Sequence, residues 1–169
     1  MGVLTQDMKR VLREQRLGFI ATVCPDGTPN LSPKGTTTYW DEDHLVFADI
    51  RSPETVRNLR ANPHLEVNVV DGLLRKGYRF KGTAEVLTEG PLYEQALAFF
   101  RGETGDLDYV LPGSIRAVVL MKVERALPLI SPRYDRGASE ADIVRQWEPH
   151  WLGLWATLKE RLRQASGRV

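Results

Sequence analysis

The sequence predicts a mainly β (α+β) chain, an antiparallel β-barrel with helices on its rim. Three observations carry this expectation. About six short runs are rich in β-branched and aromatic residues and are bounded by turn residues. A helical pattern separates the third run from the fourth. The first two runs carry apolar residues on both faces, as in a sheet covered on both sides.

The elements follow in order. "MGVLTQDMKRVLREQ" reads as an amphipathic first helix, with Val3, Leu4, Met8, Val11 and Leu12 on or near one stripe. "RLGFIATVC" is the first strand, and Asp26-Gly27 marks a hairpin. In the return strand, "SPKGTTTYW", period-two alternation puts Ser32, Lys34, Thr36 and Thr38 on one face and Pro33, Gly35, Thr37 and Tyr39 on the other. That pattern suits a surface strand or the wall of a pocket for an anionic ligand. "HLVFADI" is a third strand.

In "RSPETVRNLRANP", Ser52 fits an N-cap, Pro53 the first helical position, and Asn62-Pro63 the end. "HLEVNVV" alternates with Leu65, Val67 and Val69 inward. "YRFKGTAEVLT" alternates again, with Gly82 marking a bulge or the close approach of another backbone. "GPLYEQALAFFRGE" is a helix and "IRAVVLMKVERALPLI" a sixth strand. Ser139 and Asp142 have the spacing of a capping box, and Pro149 breaks the helical tail into two. No linker or repeat interrupts residues 1–169, so one domain is expected, with a C-terminal helical extension at about 138–166.

Composition excludes several classes. With 169 residues, 42% hydrophobic, 27% charged and a net charge of +1, the chain has the balance of a soluble globular protein and no field that argues for nucleic acid or a membrane surface. No apolar run is long enough to span a bilayer, no secretory cleavage pattern is present, and a single cysteine forms no internal disulfide. A cytoplasmic location is expected. Glycine-rich nucleotide loops and a nucleophile elbow are absent, and three dispersed histidines do not make a zinc motif, so no metal is expected.

One constellation remains. Lys34 projects from the second strand, and Arg51, Ser52 and Thr55 surround a helix N-terminus, with Asn58 one turn on. Backbone N–H groups, hydroxyls and cations together suit a phosphate. A capped surface helix with an exposed arginine has the same composition.

The runs "GFIATVCPDGTPNLSPKGTTTYWDEDHLVFADI", "RSPETVRNLRANPHLEVNVV" and "YRFKGTAEV" resemble the pyridoxamine 5′-phosphate oxidase-related flavoproteins, the FMN-binding split-barrel superfamily. The resemblance is close from Gly18 to Val86, and "IRAVVLMKVERAL" continues it. It implies a six-stranded antiparallel split β-barrel and a homodimer with FMN in the cleft between subunits. Lys34, Arg51 and Ser52 would hold the phosphate, assisted by Thr55 and Asn58. Backbone at Gly35, Thr36, Ala48 and Asp49 would run along the ring. Arg79, with Lys81, would lie near the dimer interface, within reach of the partner's cofactor. The polar face of "SPKGTTTYW" then becomes a pocket wall. True pyridoxamine phosphate oxidases carry a longer basic set on the second strand and a C-terminal arginine-containing substrate motif. This chain ends instead in a Trp-rich helix.

The implied activity is an FMN-dependent oxidoreductase acting on a small molecule. Its catalytic residues are not assigned, with Tyr78, Arg133 and Tyr134 as candidates for lining the substrate side. Two alternatives are a deazaflavin-dependent reductase using a basic groove from "RKGYRFK", and a non-catalytic flavin- or haem-binding dimeric protein. Val67, Val69, Phe80 and Met121, with Trp151 and Trp155, are the expected dimer surface. Otherwise the tryptophans cover their own barrel.

Overall fold

The computed structural model describes residues 2–102 and 113–166. Met1 and Glu103, the outer ends of two predicted helices, lie outside the described residues. The chain forms two compact units, Met1–Val70 with Gly77–Leu129, and Asp71–Lys76 with Ile130–Val169.

The first unit opens with α1 (Gln6–Gln15). The Thr5 hydroxyl caps it by accepting the Met8 N–H at 3.3 Å. Its apolar stripe buries Val11 and Leu12 completely, and Leu4 just ahead of the helix is buried with them. Tyr78 ties the sheet to this helix by donating its hydroxyl to Asp7. Burial, reinforced by the Asp7 hydrogen bond and charge, pushes the Tyr78 phenol up to about 12. Because the folded value is raised, this bond stabilises fully below the unfolded value of about 10 and is lost as pH climbs through about 12. An ultraviolet titration of tyrosinate is expected to show a phenol ionising near 12 that is missing in Tyr78→Phe; an unchanged titration would refute the assignment.

Seven strands follow in one antiparallel sheet: β1 (Gly18–Val23), β2 (Pro29–Lys34), β3 (Thr38–Tyr39), β4 (His44–Asp49), β5 (His64–Asp71), β6 (Lys76–Leu87) and β7 (Ala117–Ile130). Their order is β2-β1-β5-β6-β7-β4-β3. β1 pairs with β2 with Ile20 opposite Ser32, and β4 pairs with β7 with Phe47 opposite Val119. The fold class matches the sequence expectation, but the expected second strand is divided. Thr37 turns back on Lys34, its N–H reaching the Lys34 carbonyl at 3.4 Å and its hydroxyl donating to the same oxygen at 2.9 Å. The chain leaves β2 there and re-enters the sheet as β3, so strict alternation across residues 32–40 stops at Lys34.

Two helices flank the sheet, α2 (Pro53–Ala61) and α3 (Pro91–Gly102). β4 is covered on both faces. Leu45 and Phe47 join the barrel interior with Ile20, Val67, Val69, Phe80 and Met121, whereas Val46 and Ala48 pack with Ala96 and Phe100 of α3. Val67, Val69, Phe80 and Met121 are therefore fully buried in their own chain's core and are not a dimer surface. Alternation alone identifies an inward face but not which body lies inside. The outer face of β1 and β2, expected to be covered, is instead open in the single chain, with Phe19 at 40% and Leu31 at 64% exposure. Gly82 is where the backbones of β6 and β7 meet: a Cβ there would lie 1.9 Å from the Lys122 carbonyl oxygen.

The second unit contains the β5–β6 turn, the short α4 (Pro132–Asp135) and the long α5 (Glu140–Ser166). The capping box forms as expected: Ser139 N–H donates to Asp142 at 3.0 Å and Asp142 N–H to the Ser139 hydroxyl at 3.2 Å. Pro149 does not divide the tail; α5 runs through it as one helix, since a proline forfeits a single backbone hydrogen bond and the remaining ladder carries the helix past it. Within this unit the Arg75 guanidinium stacks 4.1 Å from the Trp147 ring, Lys76 pairs with Glu140, and the Tyr134 hydroxyl donates to the Leu74 carbonyl. Trp155 is exposed.

Candidate functional site

The ends of β2 and β4 and the start of α2 converge on one rim. β2 and β4 stand far apart in the sheet order, yet Lys34 Nζ lies 3.5 Å from Asp49 Oδ1 and both side chains are almost fully buried. Burial pushes the Lys34 ammonium below the usual lysine range, and the Asp49 carboxylate works against that shift. Asp49 also accepts the Ser52 N–H at 3.0 Å, which fixes the backbone entering α2. Beside this pair, Thr36 accepts the Ala48 N–H at 2.9 Å. The ring-facing amide expected at Ala48 is thus held by Thr36.

Ser52 occupies the N-cap position, but its side chain makes no cap hydrogen bond. The Ser32 hydroxyl donates to Ser52 Oγ at 3.0 Å. The capping role read from the sequence is therefore corrected: Asp49 receives the Ser52 N–H, and the Ser52 hydroxyl faces β2 instead. Arg51 is exposed at the same rim.

Thr55 and Asn58 lie beneath the surface, at 1% and 0% exposure. Asn58 Nδ2 donates to Thr22 Oγ1 at 3.0 Å and approaches Cys24 Sγ at 3.4 Å, and Thr22 Oγ1 also accepts from Asn30 at 3.1 Å. Thr55 Oγ1 and Asn58 Oδ1 are buried without a hydrogen-bond partner. Arg79 stands apart from this group on β6, where it and Lys81 approach Glu66 at 3.5 and 3.2 Å.

The rim thus brings together Lys34, Thr36, Ala48, Asp49 and Ser52, sets Thr55 and Asn58 below them, and leaves Arg79 elsewhere on the sheet. Gly35 lies in the β2–β3 turn at the same rim. Sequence reasoning placed Ser32 on the pocket-wall face but missed its bond to Ser52 and the side-chain role of Asp49. A single carboxylate closing the apolar run "LVFAD" was the available signal, because an acid at such a position needs a buried partner. The substrate-side candidates are engaged elsewhere: Tyr78 with Asp7, Tyr134 with Leu74, and Arg133 with Gln146.

The donor set fits a phosphate group in kind: two facing hydroxyls, an exposed guanidinium, a helix start and the orphaned Thr55 hydroxyl. The Asp49 carboxylate does not oppose it, being neutralised by Lys34.

Residues 4–122 match the family profile described as pyridoxamine 5′-phosphate oxidase. The chain belongs to the pyridoxamine 5′-phosphate oxidase-related family of split-barrel proteins. Among solved structures, HupZ from Group A Streptococcus is 35% identical with a TM-score of 0.65, the match covering 76% of this chain and 95% of that one. An F420 reductase shares the fold at 21% identity and a TM-score of 0.56, covering 73% of this chain and 98% of that one. An FMN-binding protein from Syntrophomonas wolfei does so at 16% and 0.54, covering 72% and 88%. No curated protein matches the chain. Among the described residues, no helix is long and apolar enough to cross a membrane.

Proposed function

We propose that this chain binds FMN at the rim formed by β2, β4 and the start of α2, and works as a cytoplasmic oxidoreductase on a small molecule. The observation that carries the reading is the buried Lys34–Asp49 pair, set beside the Ser32–Ser52 hydroxyls at a helix start, in a chain of this family. A bound flavin supplies hydride or electron transfer. The protein's part is to hold and orient it. Arg51, Ser32 and Ser52 would hold the phosphate, and Lys34 keeps Asp49 from repelling it. The backbone at Gly35, free of a side chain, lets a ring approach.

The deazaflavin reading has less support. Its basic groove was to come from residues 75–81, where Arg75 stacks on Trp147 and Lys76, Arg79 and Lys81 each meet a carboxylate.

Arg51→Ala is expected to weaken FMN by about tenfold or more, the scale of a charge-assisted hydrogen bond, while leaving riboflavin unchanged. Flavin fluorescence titration reads both. Equal losses would remove Arg51 from the phosphate, and a wild-type chain that binds neither ligand would remove the flavin reading.

The homodimer belongs to the same proposal. Its support is the open apolar face of β1 and β2, where Phe19, Val23 and Leu31 are exposed together. Sedimentation is expected to show a dimer that Leu31→Asp dissociates; a wild-type species of 19.1 kDa would refute it.

A further inference from the structure

α2 has two sides. Thr55 and Asn58 point toward β1 and the rim described above, whereas Pro53, Val56, Arg57 and Arg60 recur at helical spacing on the opposite side. On that far side lies a depression of about 300 Å³. Arg57 and Arg60 enter it from α2 and Arg116 from the start of β7, over an apolar floor of Pro53, Val56 and Ala117. Arg116 is fixed there by its N–H, which donates to the Asp49 carbonyl at 2.9 Å, and by the neighbouring pairing of Asp49 with Ala117.

Charge makes this arrangement informative. Three arginines, two from α2 and one from the segment entering β7, line one small volume. The one carboxylate among the described lining residues, Asp49, is committed on its other side to Lys34 and the Ser52 N–H. Arg57 is partly neutralised by Glu54 one turn back and by the field of Asp26, so Arg60 and Arg116 carry most of the positive charge there. Like charges gathered at one place repel, and an anion relieves that repulsion. Arginine's planar fork pairs two N–H donors with two oxygens of a carboxylate or phosphate. The apolar floor favours an anion that carries a hydrocarbon body over a bare inorganic ion.

We propose that this depression is a second anion site, taking the phosphate or carboxylate of a small organic molecule, held by Arg57, Arg60 and Arg116. It does not rest on the flavin reading, because none of these arginines is assigned to that cofactor.

Phenyl phosphate is the probe, titrated calorimetrically into the full chain with inorganic phosphate as comparison. Arg60→Ala and Arg116→Ala are each expected to weaken phenyl phosphate by about fivefold or more, the lower end of a charge-assisted contact at an exposed site. Both side chains are exposed, so neither substitution disturbs the core. Arg51→Ala, at the other side of α2, is expected to leave phenyl phosphate binding unchanged, and inorganic phosphate is expected to bind more weakly. The proposal is overturned if the wild-type chain does not bind the probe, or if both pocket variants bind it as well as wild type. Loss on Arg51→Ala in their place would assign the anion to the rim. Equal affinity for the two probes would refute an organic ligand.

Discussion

Lys34→Ala is expected to destabilise the fold by about 3–5 kcal/mol, the cost of leaving one member of a buried ion pair without its partner. The stranded group is Asp49, at 3% exposure, and its carboxylate would have only the Ser52 N–H and any water that enters. Urea denaturation measures the loss. Pairing Lys34→Met with Asp49→Asn removes both charges while keeping an oxygen for the Ser52 N–H, and should recover most of the stability. A loss below about 1 kcal/mol in the single variant, as for a surface pair, would mean that Asp49 is solvated and the pair contributes little. The same energetics explain why Lys34→Ala is a poor probe of phosphate binding: it weakens FMN and riboflavin alike by loosening the rim. Arg51 is the cleaner position.

Gly82→Ala is expected to cost about 3 kcal/mol or more, at or beyond the upper end of overpacking penalties. The added methyl would sit 1.9 Å from the Lys122 carbonyl oxygen and 3.0 Å from its carbon. These are backbone atoms of the neighbouring strand, so no side-chain rotation relieves the contact. β6 and β7 must separate, and the interior residues Phe80 and Met121 on those strands lose packing with them. Thermal denaturation reads the effect. A variant within about 0.5 kcal/mol of wild type, the range of ordinary surface substitutions, would show that the strands part more easily than this geometry allows.

Gly82 also shows what was legible in the sequence. A glycine interrupting a strong β-pattern announces a close approach, and the close approach is there. The alternation of Leu65, Val67 and Val69 gave the inward face of β5 for the same reason: period two is a local property of the chain. What failed was non-local. Whether Phe80 faces its own core or a partner depends on what lies across from it, and one strand's pattern carries no record of that. Ser52 was read as a cap from its position alone, whereas its hydroxyl meets Ser32, twenty residues earlier. Asp49 was read only through its backbone because its partner, Lys34, comes from a strand five places away in the sheet. Pro149 was read as a break although a long helix tolerates one missing hydrogen bond.

The turn from Lys34 to Thr37 carries the chain from the first strand of the sheet to the last. Around most of the wall, neighbouring strands are laced by backbone hydrogen bonds, which any sequence supplies and which do not titrate. Between β2 and β4 the fastening is different in kind: an ammonium against a carboxylate. This short stretch of the circumference is therefore written in side chains, and there the identities of Lys34 and Asp49 set how firmly the hoop is closed. A molecule that gripped both margins of that seam would act as a clasp, so that its occupancy and the mechanical tightness of the barrel would rise and fall together.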